Sequence, residues 1–179
     1  DLEDKKVVMI GDPNIRLKED PLRILRAVRF SCTLDLKLDE VLWQSMQENV
    51  LLLENMSNYH IKKEIDSILL SPNFQKGLTM LQELGISYFY PNEKRITYVN
   101  DVNGMWAQLK PKRDFLFSKV ERKEIEKIRE VIEIQEITMQ TIYQYGLYPV
   151  MVAAKIKQIP ENYITKMYEE LPIHEQKDL

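Results

Sequence analysis

Between residues 20 and 29 one carboxylate and three guanidiniums recur at every third position: Asp20, Arg23, Arg26 and Arg29. On a helix turning about 100° per residue, that spacing winds one slow ridge across a single polar face. Ile24, Leu25 and Val28 fall on the opposite side, toward a core. A carboxylate only accepts hydrogen bonds and a guanidinium only donates them. The ridge therefore carries both halves of a complementary hydrogen-bonding surface. Guanidinium forks also suit phosphates and base edges, and three in register favour an anion site. The plainer alternative is a row of surface ion pairs worth about a few tenths of a kcal/mol each, with Arg26 and Arg29 held by Glu19 or Asp12 only to fix the helix. Spacing alone leaves both readings open.

The elements that must position these residues read as helices. Glycine is scarce, at Gly11, Gly77, Gly85, Gly104 and Gly146, fewer than the turns of a β-rich chain need. Asp20 before Pro21 suits an N-cap followed by proline at the first helical position, predicting a helix over 20–34. A helix after Asp12-Pro13 has the same chemistry. Asp39 caps a segment running through residues 40–56, and Ser57 caps the next. Ser71-Pro72 breaks that helix, and another follows that Gly85 ends. Residues 87–118 predict short helices and turns. The longest helix is expected over 120–145, closed by Gly146, with two more before Pro172. Val7–Ile10 is a short β-like run broken by Gly11-Asp12-Pro13, expected to pair with sequence upstream. The expected fold is all-α with a short extended entry segment.

Composition narrows the function classes. The chain has 179 residues, 44% hydrophobic and 30% charged, with a net charge of -3. That balance is ordinary for a globular chain and does not announce nucleic acid, so such a partner needs a local basic patch. Lys110, Lys112 and Arg113 form one candidate; Arg122, Lys123, Lys127 and Arg129 form another. Glu121, Glu124, Glu126 and Glu130 interleave the second and equally suit a salt-bridged helix surface. Trp43, Trp106 and the tyrosines could include RNA-stacking groups, though core positions account for such residues as well. The single cysteine, Cys32, allows no internal disulfide, fits a reducing cytoplasm and reads as a buried small hydrophobe. No apolar run approaches the roughly 20 residues of a membrane span. His60 and His174 are the only histidines and neither precedes an aspartate, which argues against a metal phosphohydrolase site. The opening at Asp1, in mid-pattern, reads as a piece of something longer.

Gly11 to Phe30 reads G-D-P-x-x-R-L-x-E-D-P-L-R-I-L-R-A-x-R-F. This run resembles the nucleotide-recognition motif of class II CCA-adding enzymes and their bacterial poly(A) polymerase relatives, with Leu17 where that family usually has phenylalanine. Residues 59–86 resemble the family's neck segment I-x-x-E-x-x-x-x-L-x-S-x-x-x-x-x-G-L. Residues 167–179 resemble the body-to-tail junction of the Gram-positive enzymes. The resemblance covers nearly the whole chain and is specific mainly in these three stretches.

The resemblance implies a division into a head-to-neck linker (1–19), a neck with the base-recognition helix (20–86), a helical body (87–171) and the start of a tail (172–179). It implies that Asp20 and Arg23 read the incoming base, that Arg26 and Arg29 hold the nucleotide or order the pocket, and that Glu19 orients an arginine. Cytosine and adenine each present an exocyclic amino donor beside a ring-nitrogen acceptor, which suits Asp20 and Arg23. Uracil and guanine would set a carbonyl oxygen against Asp20. The implied activity is addition of C, C and A to tRNA 3′ ends from CTP and ATP, without a nucleic-acid template. It needs Mg²⁺ held by an Asp-x-Asp pair in a catalytic head. No Asp-x-Asp occurs here, and Glu124 and Glu126 would point to different faces of a helix. The isolated chain is accordingly expected to be inactive. The implied setting is cytoplasmic, with no membrane, and a homodimer of the full-length enzyme stays open. Poly(A), CC-only or A-only addition shares the motif, and a non-catalytic helical RNA-binding module is the alternative of another class.

Overall fold

The computed structural model describes residues 5–86, 88–89, 95–113 and 115–179. The opening charged residues 1–4 and the neck-to-body boundary at residue 87 therefore lie outside the described residues. The chain divides into two compact units, Asp1–Tyr90 with Pro111–Leu116, and Pro91–Lys110 with Phe117–Leu179. Among the described residues both are helical, as the glycine-poor, helix-periodic sequence leads one to expect.

In the first unit, α1 (Pro13–Glu19) starts where the Asp12 carboxylate accepts the Asn14 N–H, with proline at the first position. The helix expected over 20–34 is α2 (Leu22–Thr33). Asp39 caps α3 (Glu40–Asn49), which tightens into a 3-10 turn at Val50–Asn55. Ser57 caps α4 (Asn58–Leu69), and α5 (Phe74–Glu83) ends before Gly85, whose φ of 76° is the left-handed conformation of a helix stop. Ile24, Leu25, Val28 and Cys32 of α2 are fully buried with Ile61, Ile65 and Ile68 of α4. Gly77 on α5 allows the close approach: a Cβ there would stand 2.7 Å from Cys32 Sγ and 2.6 Å from Ile68 Cγ2. Cys32 is the buried hydrophobe expected, and burial pushes its thiol up to about 11, with Lys76 partly opposing.

The entry segment departs from expectation. Its strand is β1 (Lys6–Val7), and it pairs in parallel with β2 (Lys37–Leu38) of the same unit, Lys6 opposite Lys37 and Val7 opposite Leu38. Leu36, 9% exposed, anchors β2 to the core, so the partner lies downstream and within the described chain.

The second unit holds α6 (Val102–Ala107), α7 (Lys119–Glu133), α8 (Met139–Tyr145), α9 (Leu147–Ile156), α10 (Glu161–Glu169) and α11 (Ile173–Gln176). The single helix expected over 120–145 is in fact two, α7 and α8, broken at Ile134. Thr138 and Thr141 form a capping box that starts the second helix. The Lys157 ammonium donates to the carbonyls of Ile132 and Ile134 and so terminates the first. None of the described helices is long and apolar enough to cross a membrane.

Candidate functional site

The junction of α1 and α2 decides where the ridge residues point. Asp20 is extended, with φ -147° and ψ 94°, so it stands off the helix rather than in it. Its Oδ1 accepts the Leu22 N–H at 3.2 Å, and its Oδ2 accepts from Arg26 Nη1 at 2.9 Å. Arg23 turns back to α1, where Nη1 donates to the Arg16 carbonyl at 2.8 Å and to Glu19 Oε2 at 3.2 Å. The structure therefore brings Asp20 together with Arg26, and Arg23 together with Glu19. No Asp20–Arg23 ion pair is present between these described residues.

Arg26 and Arg29 do not bind Glu19 or Asp12. Both face Glu64 on α4: Arg26 Nε lies 3.3 Å from Oε1 and Arg29 Nε 3.0 Å from Oε2. The second contact is an ion pair off the hydrogen-bonding direction, because neither atom has a hydrogen-bond partner. Arg29 also lies over the Phe30 ring, 4.9 Å from its centroid. Glu64 is the site residue that the ridge did not reveal. Its signal was present as the glutamate of the I-x-x-E segment, with Ile61 buried and Glu64 one turn on.

Two charge chains result, Arg16–Glu19–Arg23 and Asp20–Arg26–Glu64–Arg29. The side chains of Asp20 and Arg23 remain 30% and 27% exposed. Both bonds of Arg23 run through Nη1, so its Nε and Nη2 donors are not used by these contacts, and each Asp20 oxygen accepts a single bond of its two-lone-pair capacity. The surface can thus accept from one ligand group and donate to its neighbour.

The other candidate cations mostly serve the fold. Arg113 donates to the Met56 carbonyl and the Asn58 amide oxygen and lies over Tyr88. Arg129 donates to the carbonyls of Trp106, Ala107 and Leu109 at 2.8 to 3.2 Å. Among the described residues no three His, Cys, Asp or Glu side chains converge as metal ligands.

A model of the family described as "Probable RNA and SrmB- binding site of polymerase A" matches residues 35–92. The CCA-adding enzyme of Lactococcus lactis subsp. cremoris (strain MG1363) is 41% identical over 83 residues, covering 46% of this chain and 21% of that protein. The CCA-adding enzyme of Lactococcus lactis subsp. lactis (strain IL1403) is 25% identical over 206 residues, covering 100% of this chain and 52% of that protein. Among solved structures, the Bacillus stearothermophilus CCA-adding enzyme in complex with CTP superposes with a TM-score of 0.81 at 20% identity, over 96% of this chain and 52% of that one. That likeness shows a shared fold. The chain spans at most about half the length of these relatives.

Proposed function

We propose that the chain belongs to the CCA-adding enzyme family and is the base-selecting and tRNA-binding part of an enzyme that adds CCA to tRNA 3′ ends from CTP and ATP, a reading supported by its likeness to CCA-adding enzymes. One observation carries the reading. The Asp20 carboxylate is pinned by the Leu22 N–H and by Arg26 yet stays part-exposed, and Arg23, three residues on, keeps donors that its contacts with α1 do not use. Asp20 accepts from the exocyclic amino group of C or A, and Arg23 donates to the adjacent ring nitrogen. U or G would set an oxygen against Asp20, acceptor to acceptor. Each such contact discriminates by about 1–3 kcal/mol, and more if a buried group is left unpaired.

In this reading Arg26 orders Asp20, Glu19 orients Arg23, and Arg29 stands ready for the nucleotide's phosphates. The division into linker 1–19, neck 20–86, body 87–171 and tail from 172 is part of the proposal. In this reading the carboxylates that would hold Mg²⁺ belong to another part of the protein, where the ion would supply charge neutralisation for the triphosphate. The enzyme works in the cytoplasm, with the full-length homodimer as its candidate assembly. The family model's mention of polymerase A supports one second reading, poly(A) addition.

The test is single-nucleotide incorporation by the full-length protein on tRNA lacking its last three nucleotides. Each triphosphate is offered alone, and CTP is offered with ATP, in wild type and Asp20→Ala. Ordered C, C, A addition with preference lost in the variant is expected. Long adenylate tails would establish the second reading. An active variant with unchanged preference would remove Asp20 from base selection, and no incorporation by the folded protein would favour the helical RNA-binding module.

A further inference from the structure

We propose that Glu64 is a positioning residue for base selection, acting through Arg26 on the carboxylate of Asp20. The inference rests on the base-reading role proposed for Asp20 and adds a residue from a different helix. Glu64 has the least exposed side chain of its charge chain, at 13%, against 30% for Asp20, 39% for Arg26 and 32% for Arg29. A carboxylate this far out of water needs cationic partners. It has two, and they are two of the ridge arginines.

The atoms used matter more than the pairing. Glu64 holds Arg26 by Nε, while Arg26 reaches Asp20 with Nη1. A guanidinium is a rigid planar fork, so fixing Nε fixes the direction of Nη1. Arg26 therefore gives Asp20 one hydrogen bond, to Oδ2, and Oδ1 is shared only with the Leu22 N–H. Freed of Glu64, the fork can turn and take Asp20 through two parallel bonds, the arrangement that guanidinium and carboxylate favour. That would spend the acceptor positions an incoming amino group needs. Glu64 keeps Asp20 oriented and still able to accept.

Its contacts differ from those of the struts in the same unit. Lys76 and Asn73 tie α2 and the turn after it to α5 mainly through main-chain carbonyls, those of Ser31, Leu36 and Cys32, with one further ion pair from Lys76 to the exposed Asp35. Glu64 touches side chains of the ridge, and its contact with Arg29 is not aligned as a hydrogen bond.

The experiment compares wild type, Asp20→Ala, Glu64→Gln and the double variant Glu64→Gln with Arg26→Gln in the full-length protein. It reads the ratio of CTP to UTP incorporation on tRNA lacking its last three nucleotides, alongside the melting temperature. In Glu64→Gln the ratio falls about tenfold, the scale of one misplaced base contact. In the double variant part of the ratio returns, because the over-clamping fork is gone. A melting temperature that falls while the ratio holds would make Glu64 a strut and overturn the inference. So would a double variant no better than Glu64→Gln alone. Should Glu64→Gln not fold, Glu64→Asp replaces it: the charge stays, the reach shortens, and an unchanged ratio overturns the proposal. A ratio unmoved in Asp20→Ala sinks the base-reading role itself. A ratio that falls in Asp20→Ala but not in the Glu64 variants sinks this inference alone.

Discussion

Two sets of cations, the arginines of α2 in the first unit and Arg129 and Lys157 in the second, are used in opposite ways. In the first, the α2 guanidiniums mostly face carboxylates: Arg23 meets Glu19, Arg26 meets Asp20 and Glu64, and Arg29 meets Glu64. In the second, Arg129 and Lys157 face main-chain carbonyls at the ends of α6 and α7. An arginine paired with a part-exposed carboxylate, as Arg23 is with Glu19 and Arg26 with Asp20, sits in a contact worth little, about 0–1 kcal/mol, and such a contact is easily exchanged for a ligand. A cation that donates to several terminal carbonyls satisfies groups the helix end leaves over, and releasing it costs them that donor. Carboxylate pairing marks a site able to trade partners; carbonyl pairing marks a strut. Burial agrees: desolvation lowers the Arg129 pKa, with Glu126 opposing, as expected for a cation drawn into the fold.

The largest effect that could break this comparison is on stability. Arg129→Ala removes the side-chain donor to the Ala107 and Leu109 carbonyls and one of two donors to that of Trp106, and a part-buried carbonyl left unpaired costs about 1–3 kcal/mol. A loss of about 3 kcal/mol in chemical denaturation of the full-length protein is the expected outcome. A loss under about 1 kcal/mol would put Arg129 in the exchangeable class and return it to the candidates for RNA contact.

Sequence could not have made that distinction, because Arg26 and Arg129 both lie on amphipathic helices. What it did disclose was chemistry local to the chain. Asp12, Asp39 and Ser57 cap α1, α3 and α4 because a side-chain oxygen two or three residues ahead of a free N–H is a short-range signal. Gly85 and Gly146 end helices with positive φ for the same reason. The misses were all long-range. The partner of β1 is some thirty residues downstream. The break at Ile134 depends on Lys157, from α9. Asp20 meets Arg26 instead of Arg23 because it leaves the helix, so the angular reckoning that joined it to the ridge does not apply to it. The ridge residues were legible by spacing; their partners were set by α1 and α4, which spacing along α2 cannot see.

A smaller effect on stability sharpens the first half of the comparison. Arg26→Gln gives up ion pairs to Asp20 and Glu64 with its own side chain 39% exposed. Screened pairs of this kind predict a change of about 1 kcal/mol or less in denaturation. In the same variant the incorporation assay should show weakened base preference, since Asp20 loses its side-chain anchor. A large stability loss with preference intact would place Arg26 beside Arg129 as a strut.

The smallest effect concerns the second unit's own exposed carboxylate contact, where the partner is a phenol. Tyr148 donates to both oxygens of Asp101, at 2.9 and 2.7 Å, and accepts from the Asn103 amide at 3.2 Å. Asp101 also caps α6 through the Gly104 N–H. Desolvation, then the hydrogen bond to Asp101, pushes the Tyr148 phenol up to about 12. Its folded value thus exceeds the ordinary value near 10, so the folded state holds its proton where the unfolded state has lost it. The contribution is fully present below about pH 10 and is lost as pH rises from there to about 12. Ultraviolet titration of the folded protein should show one tyrosine fewer ionising near pH 10 in wild type than in Asp101→Asn, where the acceptor that holds the proton is weakened. Identical titration curves for the two proteins would mean that Asp101 is a helix cap alone. This contact can be switched off by pH and not by competition from a base, which separates a carboxylate that holds a proton from one that reads a ligand.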